Sequence, residues 1–197
     1  VGLTATGVLG SALMFPASAD AAISALIGDR VIDGRSAKAL TDVAVLVEDD
    51  RITGVVKMDQ IPEGAQRVQL DGYTLMPGMV ELHTHPTIAG DDYQFEHLRK
   101  SSAQKGLEAL KSVQDMLNAG WTSIRTAGAA DVNYAIVDVK RAIDSGLFAG
   151  PRMQVAGHYI TITGGGGDIN FIAPEHHVIP DGLRADGVEE MRKAVRR

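Results

Sequence analysis

An α/β fold is predicted for this chain by three features of its sequence. The chain has 197 residues, 45% of them hydrophobic, so it is long and apolar enough to bury a core. Short strand-like runs come first, at residues 24–27, 30–32, 43–47, 52–56 and 68–70. From residue 79 onward, strand-like and helix-like segments alternate, which is typical of βαβ units around a parallel sheet.

The early strands predict a small antiparallel β unit, because they are short and are separated by turn residues such as those at 48–50. An apolar strand follows at 79–85. Apolar residues then recur at helical spacing over 103–117, which predicts a helix that ends at Gly120. A strand at 122–125, a helix around 136–147, a strand at 153–156 and a last helix after residue 186 continue the alternation. The stretch 158–181 has no sustained period and is predicted to be a functional loop.

The apolar strand ends in two histidines, His83 and His85. Side chains two apart on a strand point to the same face, so one metal ion could meet both imidazoles. Neutral imidazoles bind zinc-like ions, but two of them make only half a site. Val80 and Leu82 are apolar, which favours a strand that is buried on both faces, as in a parallel sheet.

Glu81 precedes the pair by two residues and is expected on the same face, one layer deeper. It could support a metal ligand through a hydrogen bond. The sequence leaves an alternative equally open, in which Glu81 is a buried carboxylate that pairs with Arg125.

The composition excludes some classes of partner, and the N-terminal residues predict the cellular compartment. The net charge is −6 and the lysines and arginines are scattered, so the basic stripe of a nucleic-acid binder is missing. The chain has no cysteine, which excludes disulfides and thiolate ligands. Residues 1–21 combine an uncharged apolar run with small residues, which predicts a signal peptide and export to the periplasm or the medium. No membrane segment is expected once that signal is removed.

Four separated motifs carry a family resemblance. They are PGMVELHTH at 77–85, GWTSIRTAG at 120–128, GPRM at 150–153 and TITGGGGD at 161–168. In this order and spacing the chain resembles the amidohydrolase superfamily, in its imidazolonepropionase-like and Xaa-Pro-dipeptidase-like branch. The resemblance implies a (β/α)8 TIM barrel whose first three βα units span 76–197, preceded by the N-terminal part of a flanking β-sandwich domain at 22–75.

The resemblance also implies a chemistry. His83 and His85 correspond to metal ligands, for Zn²⁺ or a similar divalent metal, with about two ions in a complete site. The implied reaction is hydrolysis of a small amide or dipeptide, an N-acyl amino acid or an ochratoxin-like amide by a metal-activated water. The family's lysine, later histidines and aspartate would lie beyond residue 197, so the catalytic residues are unknown and the chain is interpreted as an N-terminal portion. Relatives commonly carry a histidine where this chain has Gly166.

Other candidates for the site lie later in the chain. His158 follows the third barrel-type strand, and Asp168 lies in the long loop; either is a candidate to support a metal ligand or to bind substrate. His176 and His177 are weaker candidates, and His97 is expected to be a surface residue.

Two alternative functions remain open at this stage. One is a catalytically incomplete, non-catalytic metal-binding module that self-associates as a homo-oligomer. The other, within enzymes, is a mononuclear hydrolase that resembles imidazolonepropionase or a deaminase.

Overall fold

The computed structural model describes residues 23–88 and 90–197. The predicted signal peptide at 1–21 lies outside these residues. The chain forms two compact units, the first ending at Pro77 and the second running from Gly78 to Arg197. None of the described helices is long and apolar enough to cross a membrane.

The first unit is a four-stranded mixed sheet. Its strands are β1 (Ile23–Val31), β2 (Val43–Glu48), β3 (Arg51–Lys57) and β4 (Gln66–Leu75), in the spatial order β3-β2-β1-β4. One face buries a small cluster of apolar residues on these strands and the β3–β4 connection, namely Ala25, Ile27, Ala44, Leu46 and Ile61.

The prediction of a purely antiparallel unit is wrong at β4. Pairs β1–β2 and β2–β3 are antiparallel, but β4 runs parallel to β1. The connection after β3 contains a short 3-10 helix (Met58–Gln60) and carries the chain from one edge of the sheet to the other, which is the crossover that a parallel pair requires. Strand β4 is also longer than the predicted strand at residues 68–70, because its pairing with β1 extends over most of its length.

The second unit contains the predicted alternation of strands and helices. Strands β5 (Met79–Thr84), β6 (Trp121–Thr126) and β7 (Arg152–Val155) form a parallel sheet in that order. Helices α1 (Tyr93–Arg99) and α2 (Ser102–Asn118) connect β5 to β6, and α3 (Ala135–Asp144) connects β6 to β7. The described residues form part of a barrel-like α/β arrangement and do not close a barrel.

After β7 the chain is irregular, as predicted, but it contains one further pairing. The two-residue strands β8 (Ile160–Thr161) and β9 (Leu183–Arg184) run parallel, and α4 (Val188–Arg196) follows. This pairing joins the two ends of the long loop, so the loop is closed at its base.

The core of the second unit lies where α2 and α3 cover β6 and β7. Its buried members are Ala109, Val113, Ile124, Ala129, Ile136, Val139 and Met153. Ser101 begins α2 by accepting a hydrogen bond from the Gln104 backbone N–H, which satisfies one of the free donors of the first turn.

The expectation that the histidine-bearing strand is buried on both faces is wrong for the described residues. Val80 is 58% exposed and Leu82 is 62% exposed. The reason is that both side chains lie outside the core that α2 and α3 form over β6 and β7, on the strand at the edge of the described sheet.

Candidate metal centre

The two histidines at the end of β5 turn their rings toward each other. His83 Nε2 and His85 Nε2 lie 3.1 Å apart, and the ring centroids are 5.1 Å apart. His83 is exposed and His85 is half-buried. The strand therefore presents two imidazole nitrogens at one point, at the carboxyl end of the parallel sheet.

A backbone carbonyl fixes the orientation of His85. The Gly128 oxygen lies 2.9 Å from His85 Nδ1, and because a carbonyl can only accept, Nδ1 carries the hydrogen. In the neutral ring this leaves the Nε2 lone pair free. Hydrogen bonds of this kind, from the second ring nitrogen to a carbonyl, set the tautomer of metal-binding histidines.

The carbonyl is held in place by its own segment, residues 127–130, which follows β6. The Ala127 backbone N–H donates to the Thr84 oxygen at 3.1 Å, and the Ala130 N–H donates to Thr87 Oγ1 at 3.1 Å. The Ala129 N–H donates to the Gly157 oxygen at 3.0 Å. The segment after β6 is thus bonded to the ends of both neighbouring strands, and His85 takes its orientation from it.

The spacing of the two nitrogens fits a shared metal ion. An ion at the usual distance of about 2.0–2.1 Å from both Nε2 atoms would make a nitrogen–metal–nitrogen angle of about 100°, close to tetrahedral. Without an ion, one nitrogen must carry a hydrogen for the pair to be attractive, and the Gly128 contact assigns that hydrogen to His83. Binding of an ion then requires only that His83 moves its proton to Nδ1.

The described part of the chain supplies no further ligand to this pair. Within residues 23–88 and 90–197, no three His, Cys, Asp or Glu side chains come close enough together to hold a metal ion. The pair is a half-site, and completion requires ligands from other residues.

Glu81 forms a hydrogen bond to the backbone of the histidine pair. Its Oε1 accepts a hydrogen bond from the His83 backbone N–H at 3.0 Å. The alternative pairing with Arg125 is not among the ion pairs of the described residues. Glu81 therefore contacts the backbone of His83 within β5 and not its ring.

His158 lies in a different environment from the pair. Its ring packs against Tyr134 with centroids 4.4 Å apart, and both ring nitrogens are buried without a hydrogen-bond partner in the described part of the chain. Burial lowers the pKa of His158, and the positive charge of Arg197 acts in the same direction, while Asp131 opposes it. The ring is thus favoured in its neutral form, and among the described residues it forms no three-ligand cluster with His83 and His85.

Asp168 is turned into its own loop. Its carboxylate accepts hydrogen bonds from the Gly164 and Ile169 backbone N–H groups, both at 2.9 Å, and lies 3.7 Å from an Arg184 nitrogen. These contacts shape the glycine turn at 164–167. His176 and His177 are exposed on the same long loop.

The four glycines of that turn are not equivalent. A Cβ on Gly165 would lie 2.3 Å from Thr161 Oγ1, and one on Gly167 would lie 2.5 Å from the Tyr159 ring. A Cβ on Gly166 would meet nothing within 4 Å. The backbone therefore requires glycine at 165 and 167, whereas position 166 has room for a side chain.

A buried polar cluster around Lys105 was missed by sequence reasoning. Lys105 is 5% exposed, and its Nζ lies 2.8 Å from His97 Nδ1 and 3.1 Å from the Ala130 oxygen. Burial lowers the pKa of Lys105, with Asp131 acting against that shift. His97 is thus a partner in this cluster, and its expected surface position is wrong.

A signal for this cluster was present in α2. Lys105 lies four residues before Ala109 and eight before Val113, both fully buried, so it occupies the apolar stripe of the helix. A lysine in such a stripe requires buried partners, although the sequence does not say which ones.

Comparison with known proteins places these features in a family. A family model described as the amidohydrolase family matches residues 74–197, well over half of the chain. The matched region begins just before β5 and includes both histidines.

Individual relatives agree with this match. An imidazolonepropionase from Micrococcus luteus is 27% identical over 184 residues, which cover 81% of this chain and 42% of that protein. An ochratoxinase from Aspergillus niger is 27% identical over 206 residues, covering 93% of this chain and 41% of its own length. The chain therefore spans about two fifths of the length of these relatives.

Solved structures show the same fold. The A. niger ochratoxinase structure matches with a TM-score of 0.70 and 26% identity, over 90% of this chain and 44% of that one. A prolidase solved with N-methylphosphonate-L-proline matches with a TM-score of 0.73 and 28% identity, over 88% of this chain and 43% of that one. A Xaa-Pro dipeptidase with bound methionine has a TM-score of 0.74 at 23% identity, over 89% and 44%, and is similar in fold.

Proposed function

This chain belongs to the amidohydrolase family, and from that premise we propose that the whole protein is a metal-dependent hydrolase of a carbon–nitrogen bond in a small substrate. The substrate classes to which the relatives' names point are imidazolonepropionate, Xaa-Pro dipeptides and ochratoxin-like amides, with N-acyl amino acids as a related class. Each contains an amide bond that water can cleave.

The observation that supports this proposal is the 3.1 Å separation of His83 Nε2 and His85 Nε2, with His85 held in the metal-binding tautomer by Gly128. Two imidazoles that converge at the carboxyl end of a parallel strand form the half-site that such a hydrolase needs.

The residues of this chain have defined roles in the proposed reaction. His83 and His85 would hold a Zn²⁺-like ion, and Glu81 would keep the His83 backbone in position. When bound, a divalent ion supplies Lewis-acid polarisation of a carbonyl and lowers the pKa of water. The acid and base that move the protons are expected to come from residues other than this pair, because Glu81 is bonded to the His83 backbone and no described carboxylate forms a three-ligand cluster with the two rings.

Metal uptake by the whole protein tests the proposal. The protein is stripped with a chelator, reloaded with Zn²⁺, and assayed on an Xaa-Pro dipeptide, an N-acyl amino acid and ochratoxin. We expect hydrolysis of at least one substrate only after reloading, with His83→Ala and His85→Ala both losing metal and activity. His176→Ala is the matched control, because this histidine is exposed on the long loop and is expected to leave both properties unchanged.

Two results would contradict the proposal. One is full activity of the stripped protein. The other is Zn²⁺ uptake by His83→Ala that equals that of the unchanged protein while circular dichroism shows the same fold.

A second candidate is supported by the half-site itself. Because residues 23–88 and 90–197 bring only two ligands together, the 197-residue chain alone is expected to bind Zn²⁺ weakly and to be inactive. A non-catalytic metal-binding module would behave in this way. Hydrolysis by the isolated chain would exclude that candidate.

A further inference from the structure

Tyr159 lies at a point where three separate segments of the chain meet. Its ring is so close to three glycines that none could carry a side chain. A Cβ would lie 2.7 Å from the ring at Gly128, 2.5 Å at Gly167 and 2.7 Å at Gly182. Real Cβ atoms do not approach other heavy atoms this closely, so the ring fills a slot that only glycines can form.

The ring is anchored in this slot at both ends. Its hydroxyl donates to Asp181 Oδ2 at 2.7 Å, and its backbone oxygen accepts from the Leu183 N–H at 2.9 Å. Asp181 is 8% exposed, and its other carboxylate oxygen is buried without a hydrogen-bond partner in the described residues. A buried carboxylate needs such a bond, so tyrosine and aspartate hold each other in place.

Burial and the neighbouring carboxylate both raise the pKa of Tyr159. The hydroxyl therefore keeps its hydrogen and remains a donor over the whole working range of pH. Loss of the tyrosine proton therefore does not break the contact between Tyr159 and Asp181.

Gly128 connects this slot to the histidine pair. Its carbonyl is the acceptor that sets the tautomer of His85, and its φ of +137° is one that residues with side chains rarely adopt. With the Tyr159 ring against its α-carbon, Gly128 has no room to shift toward the ring. The position of its carbonyl is therefore set partly by a side chain that does not itself contact either histidine.

We propose that Tyr159, clamped by Asp181, is a positioning residue for His85, acting through the Gly128 carbonyl. The proposal rests on the proposed metal function of His83 and His85. It also makes the segment between β8 and β9 a determinant of metal affinity, because that segment supplies Asp181 and two of the three glycines of the slot.

The test measures Zn²⁺ affinity of the whole protein by competition with a coloured chelator. Tyr159→Ala empties the slot and is expected to weaken binding by about 10- to 100-fold, the usual effect of removing a group that orients a metal ligand. Val113→Ala is the matched control. It removes a fully buried side chain of α2 that does not contact the Tyr159 slot through any glycine, and it is expected to lower stability without changing Zn²⁺ affinity.

Two further readouts separate positioning from general damage. In the metal-free protein, the imidazole ¹⁵N shifts of His85 report its tautomer, which is expected to become mixed in Tyr159→Ala and to stay single in Val113→Ala. Asp181→Asn keeps an acceptor for the tyrosine hydroxyl and is expected to bind Zn²⁺ nearly normally, whereas Asp181→Ala is expected to bind about 10-fold more weakly.

The outcomes distinguish this inference from the proposed function. If the unchanged protein does not bind Zn²⁺ through His83 and His85, the proposed function fails. If it does, but Tyr159→Ala and Asp181→Ala bind as tightly as Val113→Ala, only the positioning role is overturned. If Tyr159→Ala does not fold, the Zn²⁺ affinities of Asp181→Ala and Asp181→Asn test the positioning role instead. Equal Zn²⁺ affinity in these two variants would overturn the inference.

Discussion

Strands β6 and β5 are neighbours in one parallel sheet, yet their apolar residues have opposite surroundings. Ile124 on β6 is 3% exposed because α2 and α3 cover it, whereas Leu82 on β5 is 62% exposed. Helix cover decides this burial: α2 and α3 pack on β6 and β7, whereas Leu82 lies outside that core, on the strand at the edge of the described sheet.

The largest expected effect of this difference is on stability. Ile136→Ala removes a fully buried side chain from the covered region and is expected to lower the free energy of unfolding by about 3–4 kcal/mol. Leu82→Ala, at an exposed position of the 197-residue chain, is expected to lower it by less than about 1 kcal/mol. Urea unfolding of the isolated chain measures both values. A loss at Leu82 as large as that at Ile136 would mean that β5 is covered in solution.

The glycine turn at 164–167 contains a similar contrast, between a crowded position and an open one. Gly165→Ala would place a Cβ 2.3 Å from Thr161 Oγ1, so it is expected to destabilise the protein by about 1–3 kcal/mol. At Gly166 the space is open, so both Gly166→Ala and Gly166→His are expected to change stability by no more than about 0.5 kcal/mol. Thermal unfolding of the three variants makes the comparison. Equal destabilisation by Gly165→Ala and Gly166→Ala would show that the turn is shaped differently.

The smallest expected effect concerns the pH dependence of stability at His158. Because burial lowers the pKa of this ring, the unfolded chain binds a proton more readily than the folded one. The contribution of the neutral ring is fully present above the unfolded pKa of about 6.5 and is lost as the pH falls below it.

His158→Gln is therefore expected to flatten the fall in stability between about pH 7.5 and 5.5. Urea unfolding at several pH values checks this, with His176→Gln as the exposed control. An unchanged slope in His158→Gln would mean that the ring takes up its proton as easily in the folded protein as in the unfolded chain.

The sequence predicted the regular part of the second unit well. Helical spacing over 103–117 corresponds to α2 at Ser102–Asn118, and the strand expected at 122–125 corresponds to β6 at Trp121–Thr126. These elements are long or strongly patterned, and their apolar faces pack against one another. The membership in the amidohydrolase family, inferred from four motifs, is confirmed by the family match.

What the sequence did not reveal depends on contacts between distant residues. The parallel pairing of β4 with β1, the two-residue strands β8 and β9, and the contact of His97 with Lys105 each join positions that no local pattern connects. Helix α1 was missed because its seven residues are too few to show a helical period. The slot around Tyr159 is likewise visible only once the three glycines are brought together.

X-ray absorption spectroscopy of the Zn²⁺-loaded whole protein tests the central claim most directly, because it counts the imidazole ligands on the metal and measures their distances. We predict histidine nitrogens at about 2.0–2.1 Å in the unchanged protein, and no bound zinc to give a signal in His83→Ala or in the double variant that also carries His85→Ala. An unchanged imidazole count in the double variant would show that the metal binds elsewhere and that the pair at the end of β5 is not part of the centre.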